Sequence, residues 1–199
     1  MPRAGRRWCA SSSALPGSRS RSSPTPGGVD GVLAKIDAVG RALQLEAAAD
    51  ALATEVEAEV KQARARVADA ERRPRVLFVL NVGRGAPLAG GTGTSAAALI
   101  DLAGGRNAAD GFDGYKPLSQ EAALAAAPEV VLVPDHTLEA AGGRAALLDR
   151  PELRHTPAAD AGRVVAMDGL LLLGFGPRLG HAVSELAHAL HPDLVAKTR

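Results

Sequence analysis

The sequence predicts an α/β fold in which a parallel-sheet lobe, with helices on both faces, follows a long helix. After Pro74, short apolar runs alternate with helical segments, the pattern of strand–helix repeats in a mostly parallel sheet. Residues 29–73 carry apolar side chains at three- and four-residue steps, which is typical of amphipathic helices. Residues 1–28 are rich in Ser, Arg, Pro and Gly and lack this periodicity, so we expect a disordered or misread tail. The chain therefore divides into 1–28, a helical segment 29–73, and a C-terminal α/β lobe 74–199.

Composition excludes several classes of function. The net charge of the 199 residues is +1, without a basic stripe carrying interleaved aromatics, so nucleic acid is not an expected partner. The single cysteine, Cys9, excludes an internal disulfide and any multi-cysteine metal site. No stretch is long and apolar enough to span a membrane. Arg3, Arg6 and Arg7 begin like a secretory signal, but no apolar region follows, so the chain as written carries no export signal.

Two helices are expected before the sheet. The first covers residues 29–43, and Gly40 should weaken its end. The second covers residues 46–72 and would be about 40 Å long at 1.5 Å per residue. Its apolar stripe is narrow and its flanks are charged, so it is either half of a coiled coil or a strut joining two lobes. The absence of a sustained heptad favours the strut, projecting from the lobe.

The lobe should begin with a buried strand at residues 76–80, followed by a glycine-rich loop at 83–93. Thr94 or Ser95 then caps a helix over 96–102. The glycine spacing is not that of a dinucleotide-binding loop, and no suitably placed acidic residue follows. We therefore interpret the loop as the edge of a cleft, and a small nucleotide-binding enzyme domain stays an alternative.

The next unit displays candidate ligand-binding side chains. Ser119 is a good N-cap for a short helix at 122–127, and the β-branched run 130–133 predicts a strand covered on both faces. The loop before the cap contains Tyr115, the only tyrosine, with Lys116 beside it. A loop that carries an aromatic hydroxyl and a cation ahead of a helix–strand unit is typical of a ligand cleft.

The remaining chain continues the alternation. A helical region is expected at 138–148, interrupted by two glycines, and a strand at 163–166. Residues 174–178 form a turn before a last helix at 179–190, with Pro177 suited to a first helical position. Ligands in such sheets bind beyond the carboxyl ends of the strands.

Three segments of this lobe resemble the C-terminal lobe of haemin-binding periplasmic proteins: residues 93–108, 114–119 and 169–178. The resemblance covers about residues 29–192, and the third segment is the most specific. It implies a class-III binding-protein fold in which the long helix is the interdomain helix. It also implies a non-catalytic protein that binds haem for an ABC importer, with the permease and ATPase as partners. Location would be periplasmic or at the cell surface, with membrane contact only through the transporter.

The resemblance also implies site residues. Arg178 resembles the family arginine that faces the haem cleft, where a guanidinium suits a propionate. Tyr115 resembles, within its own lobe, the loop tyrosine with which the other lobe of family members ligates the haem iron, since a phenolate suits ferric haem. Lys116 is a candidate for a propionate contact, and Thr94 for a cap that also meets the ligand. Tyr115 and Arg178 would lie on adjacent loops at the carboxyl ends of the strands.

Family members have two lobes, whereas this sequence has no N-terminal lobe, which indicates a truncated or misread form. We expect from this that the apolar stripes of residues 29–43 and of one side of the long helix are exposed and favour self-association. Haem binding should be weak at best. Ferric siderophores and cobalamin are alternative ligands, because the same architecture serves them.

The histidines and carboxylates do not indicate an enzyme. His181 and His188 lie seven residues apart, on one helical face but too far apart for one metal, so we interpret them as solvated. His136, just beyond a predicted strand end, is a further candidate for the cleft, and His155 is a loop residue. No Ser–His–Asp or paired-carboxylate arrangement is visible in the sequence.

Overall fold

The structure is a computed structural model that describes residues 28–83 and 85–196. The prediction for residues 1–28 therefore concerns residues that, apart from Gly28, lie outside the described part. The helices are α1 (Val29–Leu43), α2 (Glu46–Ala65), α3 (Ser95–Leu102), α4 (Gln120–Ala126), α5 (Asp135–Ala140), α6 (Arg144–Leu148), α7 (Pro157–Asp160), α8 (Gly169–Leu173), α9 (Leu179–Leu190) and α10 (Pro192–Ala196). The strands are β1 (Arg75–Asn81), β2 (Leu88–Gly90), β3 (Arg106–Asn107), β4 (Tyr115–Pro117), β5 (Val130–Pro134) and β6 (Val164–Met167).

The six strands form one mixed sheet in the order β4-β2-β1-β5-β6, with β3 paired to the start of β1. Strands β1, β3, β5 and β6 are parallel, whereas β2 is antiparallel to both β1 and β4. The predicted α/β class with a mostly parallel sheet is therefore confirmed. The apolar runs are buried on both faces because helices cover both sides of the central strands.

Alternating side chains of the strands feed two apolar clusters, one on each face of the sheet. Phe78 and Leu132 belong to the cluster that also contains α1, α2, α3, α8 and α9. Leu77 and Val131 belong to the other, which lies against α4, α6 and α7. We call these the α9 face and the α4 face.

The glycine-rich segment differs from its prediction. Residues 83–93 were expected to form a loop, but they contain β2, which returns antiparallel to β1 with Ala89 opposite Val79. Between β2 and the start of α3, the N–H groups of Gly91 and Thr92 already donate to the carbonyls of Gly114 and Phe112, so they are not available to a phosphate as those of a nucleotide-binding loop are. This geometry removes the support for the nucleotide-binding alternative.

The long helix also differs from its prediction. It ends at Ala65 rather than at residue 72, and the chain continues in tight turns, in which the N–H of Val67 bonds to the carbonyl of Arg64. These turns bury Val67 against the lobe, where it lies close to Gly104. The helix does not project: α2 packs along α9, and Val56 is in the same apolar cluster as the sheet. The division at residue 74 into separate segments stays a prediction.

Two glycines make this packing close. A Cβ on Gly40 of α1 would lie 2.3 Å from Ala49 Cβ on α2, and a Cβ on Gly180 of α9 would lie 2.3 Å from Glu59 Cβ on α2. Gly40 was expected only to weaken the end of α1. The structure shows that it lets α1 and α2 approach each other, because no real Cβ could fit there.

Candidate functional site

Tyr115 lies in edge strand β4, not in a loop, and faces the α9 face of the sheet. It pairs with Gly90 of β2, and its ring meets the ring of Phe78 edge to face, with centroids 6.4 Å apart. A Cβ on Gly90 would lie 2.8 Å from Phe78 Cδ1 and 3.4 Å from Tyr115 Cε1. Glycine at position 90 therefore leaves the space that the Phe78 ring occupies beneath Tyr115, a role that the sequence pattern did not reveal.

The phenol of Tyr115 is half open to solvent. The residue is 41% exposed, and partial burial raises the pKa of its phenol above the usual value, because the charged form is disfavoured. Within the described residues, its hydroxyl has no hydrogen-bond partner. An exposed, unpaired phenol of this kind can ligate a ferric ion, whose charge would remove the phenolic proton.

Lys116 points away from Tyr115. Successive residues of a strand face opposite sides of the sheet, and Lys116 pairs with Ala89, which belongs to the α4 face. Its Nζ lies 5.5 Å from the centre of the Phe112 ring, in cation–π geometry. The two neighbours that were expected on one loop are thus separated by the sheet, and a ligand contact of Lys116 stays a prediction.

Thr94 is a buried helix cap. The residue is 5% exposed, and its hydroxyl donates to the Gly91 carbonyl at 2.8 Å while it accepts from the Ala97 N–H at 3.1 Å. The predicted cap is confirmed. Because the single hydroxyl hydrogen is already donated, Thr94 has no free donor for a ligand.

Arg178 occupies the N-cap position of α9, so Pro177 lies two residues before the first helical residue, Leu179, and is not itself the first helical residue. Helix α9 starts beyond the carboxyl end of β6 and ends where His191 meets the Gly104 carbonyl, 3.2 Å away, beside the start of the sheet. The helix therefore runs back along the strands, and Arg178 lies at their carboxyl end. Its exposed guanidinium has no hydrogen bond or ion pair among the described residues.

A small cavity of about 160 Å³ lies beside Arg178. It is lined by Leu170, Leu171, Gly174, Gly176, Pro177 and Arg178. Leu170 is 71% exposed, so a large apolar side chain and a guanidinium are offered to solvent side by side. This combination suits a ligand with an apolar body and an anionic group.

The structure brings Tyr115 and Arg178 to the same face of the sheet but not to adjacent loops. Tyr115 is in β4, at one end of the strand order, whereas Arg178 is reached from β6, at the other end. Both belong to the α9 face, since Tyr115 contacts Phe78 and Arg178 begins α9. The expectation of adjacent loops was wrong because β2, β1 and β5 lie between β4 and β6 in the sheet, an order that the sequence did not reveal.

The histidines divide as expected between surface and sheet edge. His181 and His188 are both exposed on α9, and His181 Nε2 lies 3.7 Å from a Glu185 carboxylate oxygen. His136 follows the end of β5 and lies beside the start of α8, with its Cε1 3.0 Å from where a Cβ of Gly169 would be. Across residues 28–83 and 85–196, no three His, Cys, Asp or Glu side chains form a group that could hold a metal ion. No helix in the same ranges combines the length and apolarity needed to cross a bilayer.

Solved structures with the same fold include several haem-binding proteins. The periplasmic heme-binding protein RhuT from Roseiflexus sp. RS-1 is 40% identical, with a TM-score of 0.81 over 85% of this chain and 65% of that one. BhuT, solved in complex with two hemes, is 47% identical, with a TM-score of 0.78 over 83% and 65%. HutB of Vibrio cholerae is 30% identical, with a TM-score of 0.77 over 84% and 66%. The chain thus spans 65% of the length of the first two. No curated protein matches it significantly.

A family model described as periplasmic binding protein matches residues 19–170. The match includes Tyr115 and ends before Arg178. It covers more than half of the sequence and agrees with the mixed sheet and its helical layers. The chain therefore belongs to the periplasmic binding protein family.

Proposed function

We propose that this chain binds haem as the substrate-binding component of an ABC-type importer, without catalysing a reaction. The observation that carries the proposal is the 47% identity, over 83% of the chain, to a protein solved with bound haem. In this role the protein would work outside the cytoplasmic membrane and deliver its cargo to a permease and its ATPase. It would meet the membrane only through that transporter.

The residues of the α9 face fit the chemistry of haem. Ferric haem needs a hard axial donor, which the phenol of Tyr115 supplies once deprotonated. The propionates need cations, and the unpaired guanidinium of Arg178 can donate two parallel hydrogen bonds to one carboxylate. The porphyrin needs apolar contact, which the exposed side chain of Leu170 offers. In this proposal Thr94 supports the site as a helix cap, whereas Lys116 lies on the opposite face of the sheet.

The ligand class can be tested by titrating the 199-residue chain with ferric haem and following the Soret band. We expect a saturable shift, and no comparable spectral or calorimetric response to a ferric siderophore, cobalamin or a nucleotide. The variant Arg178→Ala should weaken binding, whereas Arg154→Ala, which removes another exposed arginine on a different part of the lobe, should not. If the chain bound cobalamin or a siderophore more tightly than haem, the ligand assignment would change, but the family assignment would stand.

A further inference from the structure

The loop between α8 and α9 contains an unusual backbone conformation. Phe175 has a φ of 39°, in the left-handed region that bulky residues rarely adopt. Two other described non-glycine residues with positive φ, Gln44 and Ala127, are left-handed caps at helix ends, where this conformation is ordinary. Phe175 instead follows Gly174, the right-handed C-cap of α8. It stands between Gly174 and Gly176, either of which could take a positive φ without steric cost.

Burial of the Phe175 side chain compensates for this strain. The residue is 4% exposed and belongs to the apolar cluster that α1, α2, α8 and α9 share. Its carbonyl accepts a long hydrogen bond of 3.4 Å from Lys35 Nζ on α1. A left-handed non-glycine residue costs on the order of 1–3 kcal/mol and persists only where its surroundings hold it. Here the apolar cluster holds the ring of Phe175, and the hydrogen bond from Lys35 holds its carbonyl.

The held residue lies three positions before Arg178, in a loop with open space on both sides. One side is a groove of about 390 Å³ against α1 and α2, and the other is the small cavity beside Arg178. Gly174, Gly176 and Pro177 line both. A Cβ on Gly176 would meet no atom within 4 Å, so neighbouring packing does not constrain that residue. Phe175 is thus the buried anchor of a loop that has open space on both sides. Because the φ of Pro177 is fixed, the position of this loop determines where the backbone of Arg178 lies.

We infer that Phe175, assisted by Lys35, is a positioning residue that pre-organises Arg178 for the anionic group of the ligand. The inference rests on the proposed function, because it assigns Arg178 a propionate partner. Without the anchor, three consecutive flexible residues would precede Pro177, and the backbone that carries Arg178 would lose on binding the conformational freedom that the anchored loop has already lost on folding. Burial of the Phe175 ring therefore offsets the backbone strain and keeps the loop that carries Arg178 in one conformation.

A double-variant cycle tests the inference on the full chain, with ferric haem and its dimethyl ester, which lacks propionate charge, as probes. Phe175→Gly should weaken haem binding roughly tenfold or more, the loss expected for one charge-assisted hydrogen bond. Adding it to Arg178→Ala should weaken binding no further. Neither change should affect the dimethyl ester. Phe175→Leu, which retains a buried apolar side chain, should restore haem affinity.

Matched controls separate positioning from loss of stability. Leu153→Ala truncates a fully buried side chain on the α4 face, and should lower stability while leaving haem affinity unchanged. If Phe175→Gly does not fold, Lys35→Met tests the carbonyl contact alone, with Lys61→Met on an exposed part of α2 as its control. Losses that add to that of Arg178→Ala, or that appear equally with the dimethyl ester, would overturn the inference while the proposed function stands. An unchanged chain that does not bind haem would contradict both.

Discussion

Tyr115 lies at the edge of the sheet against the ring of Phe78, which fits there because position 90 carries no side chain. The contact between Tyr115 and Phe78 buries one edge of the phenol ring and leaves the hydroxyl accessible. Arg178 reaches solvent by a different route, at the first turn of α9 after a strained loop. The two residues proposed to hold haem therefore lie on the same face of one sheet, and each is positioned by its own packing. Among the described residues, no direct bond joins them.

The phenol of Tyr115 should titrate above its usual value of 10.0, because partial burial disfavours the phenolate and raises its pKa. The chain has one tyrosine, so the ultraviolet absorbance of tyrosinate during an alkaline titration reports this residue alone. The midpoint should return to the usual value in denaturant. A midpoint below 10.0 in the folded chain would show that a nearby cation, rather than burial, dominates the environment of this phenol.

The two confirmed caps should differ in their contribution to stability. Thr94→Val removes a buried hydroxyl that satisfies both the Gly91 carbonyl and the Ala97 N–H, so it should cost about 1–3 kcal/mol of unfolding free energy. Ser119→Ala removes an exposed cap that bonds only the Ala122 N–H, and should cost about 1 kcal/mol. Chemical denaturation measures both. Equal costs would mean that the Gly91 carbonyl finds another donor.

Among the elements, those with strong local signals were predicted well. The bounds of α1 and α9 agree with the structure, since each has an apolar stripe with helical spacing. Strand β5 was visible as a β-branched run ended by a proline. The three-residue strands β2 and β4 were not predicted, because each becomes a strand only through its partner. The packing of α2 on α9 was missed for a similar reason: Gly180 and Glu59 are 121 positions apart, so their contact leaves no local pattern.

Replacing Gly180 by alanine tests how tightly α2 and α9 are packed. In an exposed helix the change would stabilise by about 1 kcal/mol. Here the new Cβ would lie 2.3 Å from Glu59 Cβ, so the helices must separate, and we expect a net loss of about 1–3 kcal/mol in thermal or chemical unfolding. Gly111→Ala, which meets no atom within 4 Å, is the control. A more stable Gly180→Ala variant would show that α2 and α9 can separate at little cost in free energy.

At the scale of the whole molecule, an open apolar groove of about 390 Å³ lies between α1, α2 and the Phe175 loop. The inner stripe of α1 is buried, whereas Val39, Leu43 and Leu45 at its far end are exposed. The expectation of exposed helical stripes thus holds only for the second half of α1. It was wrong for the first half, where Val32 and Ile36 are buried, and for the long helix, where Val56 and Val60 are buried in the apolar cluster of the lobe. Self-association through this surface stays a prediction.

The groove should bind an environment-sensitive dye such as anilinonaphthalene sulfonate in the native state, because contiguous apolar surface of this kind attracts apolar probes. Leu43→Glu should reduce the dye fluorescence and any concentration-dependent association measured by sedimentation. Leu124→Glu, which changes an exposed leucine on α4, should do neither. If the chain stays monomeric at high concentration and does not increase the dye fluorescence, the prediction that this groove is an accessible apolar surface for association is wrong.

The central claim is that Tyr115 and Arg178 on the α9 face hold ferric haem. The most direct measurement is a Soret titration of the 199-residue chain beside Tyr115→Phe, Arg178→Ala and the control Arg154→Ala. The described residues form one open wall, so we expect micromolar rather than nanomolar affinity. Tyr115→Phe keeps the ring against Phe78 and should change the spectrum as well as the affinity, because it removes the iron ligand. Arg178→Ala should lower affinity roughly tenfold or more with an unchanged spectrum. Haem bound with the same spectrum and affinity by all four chains would place the site elsewhere.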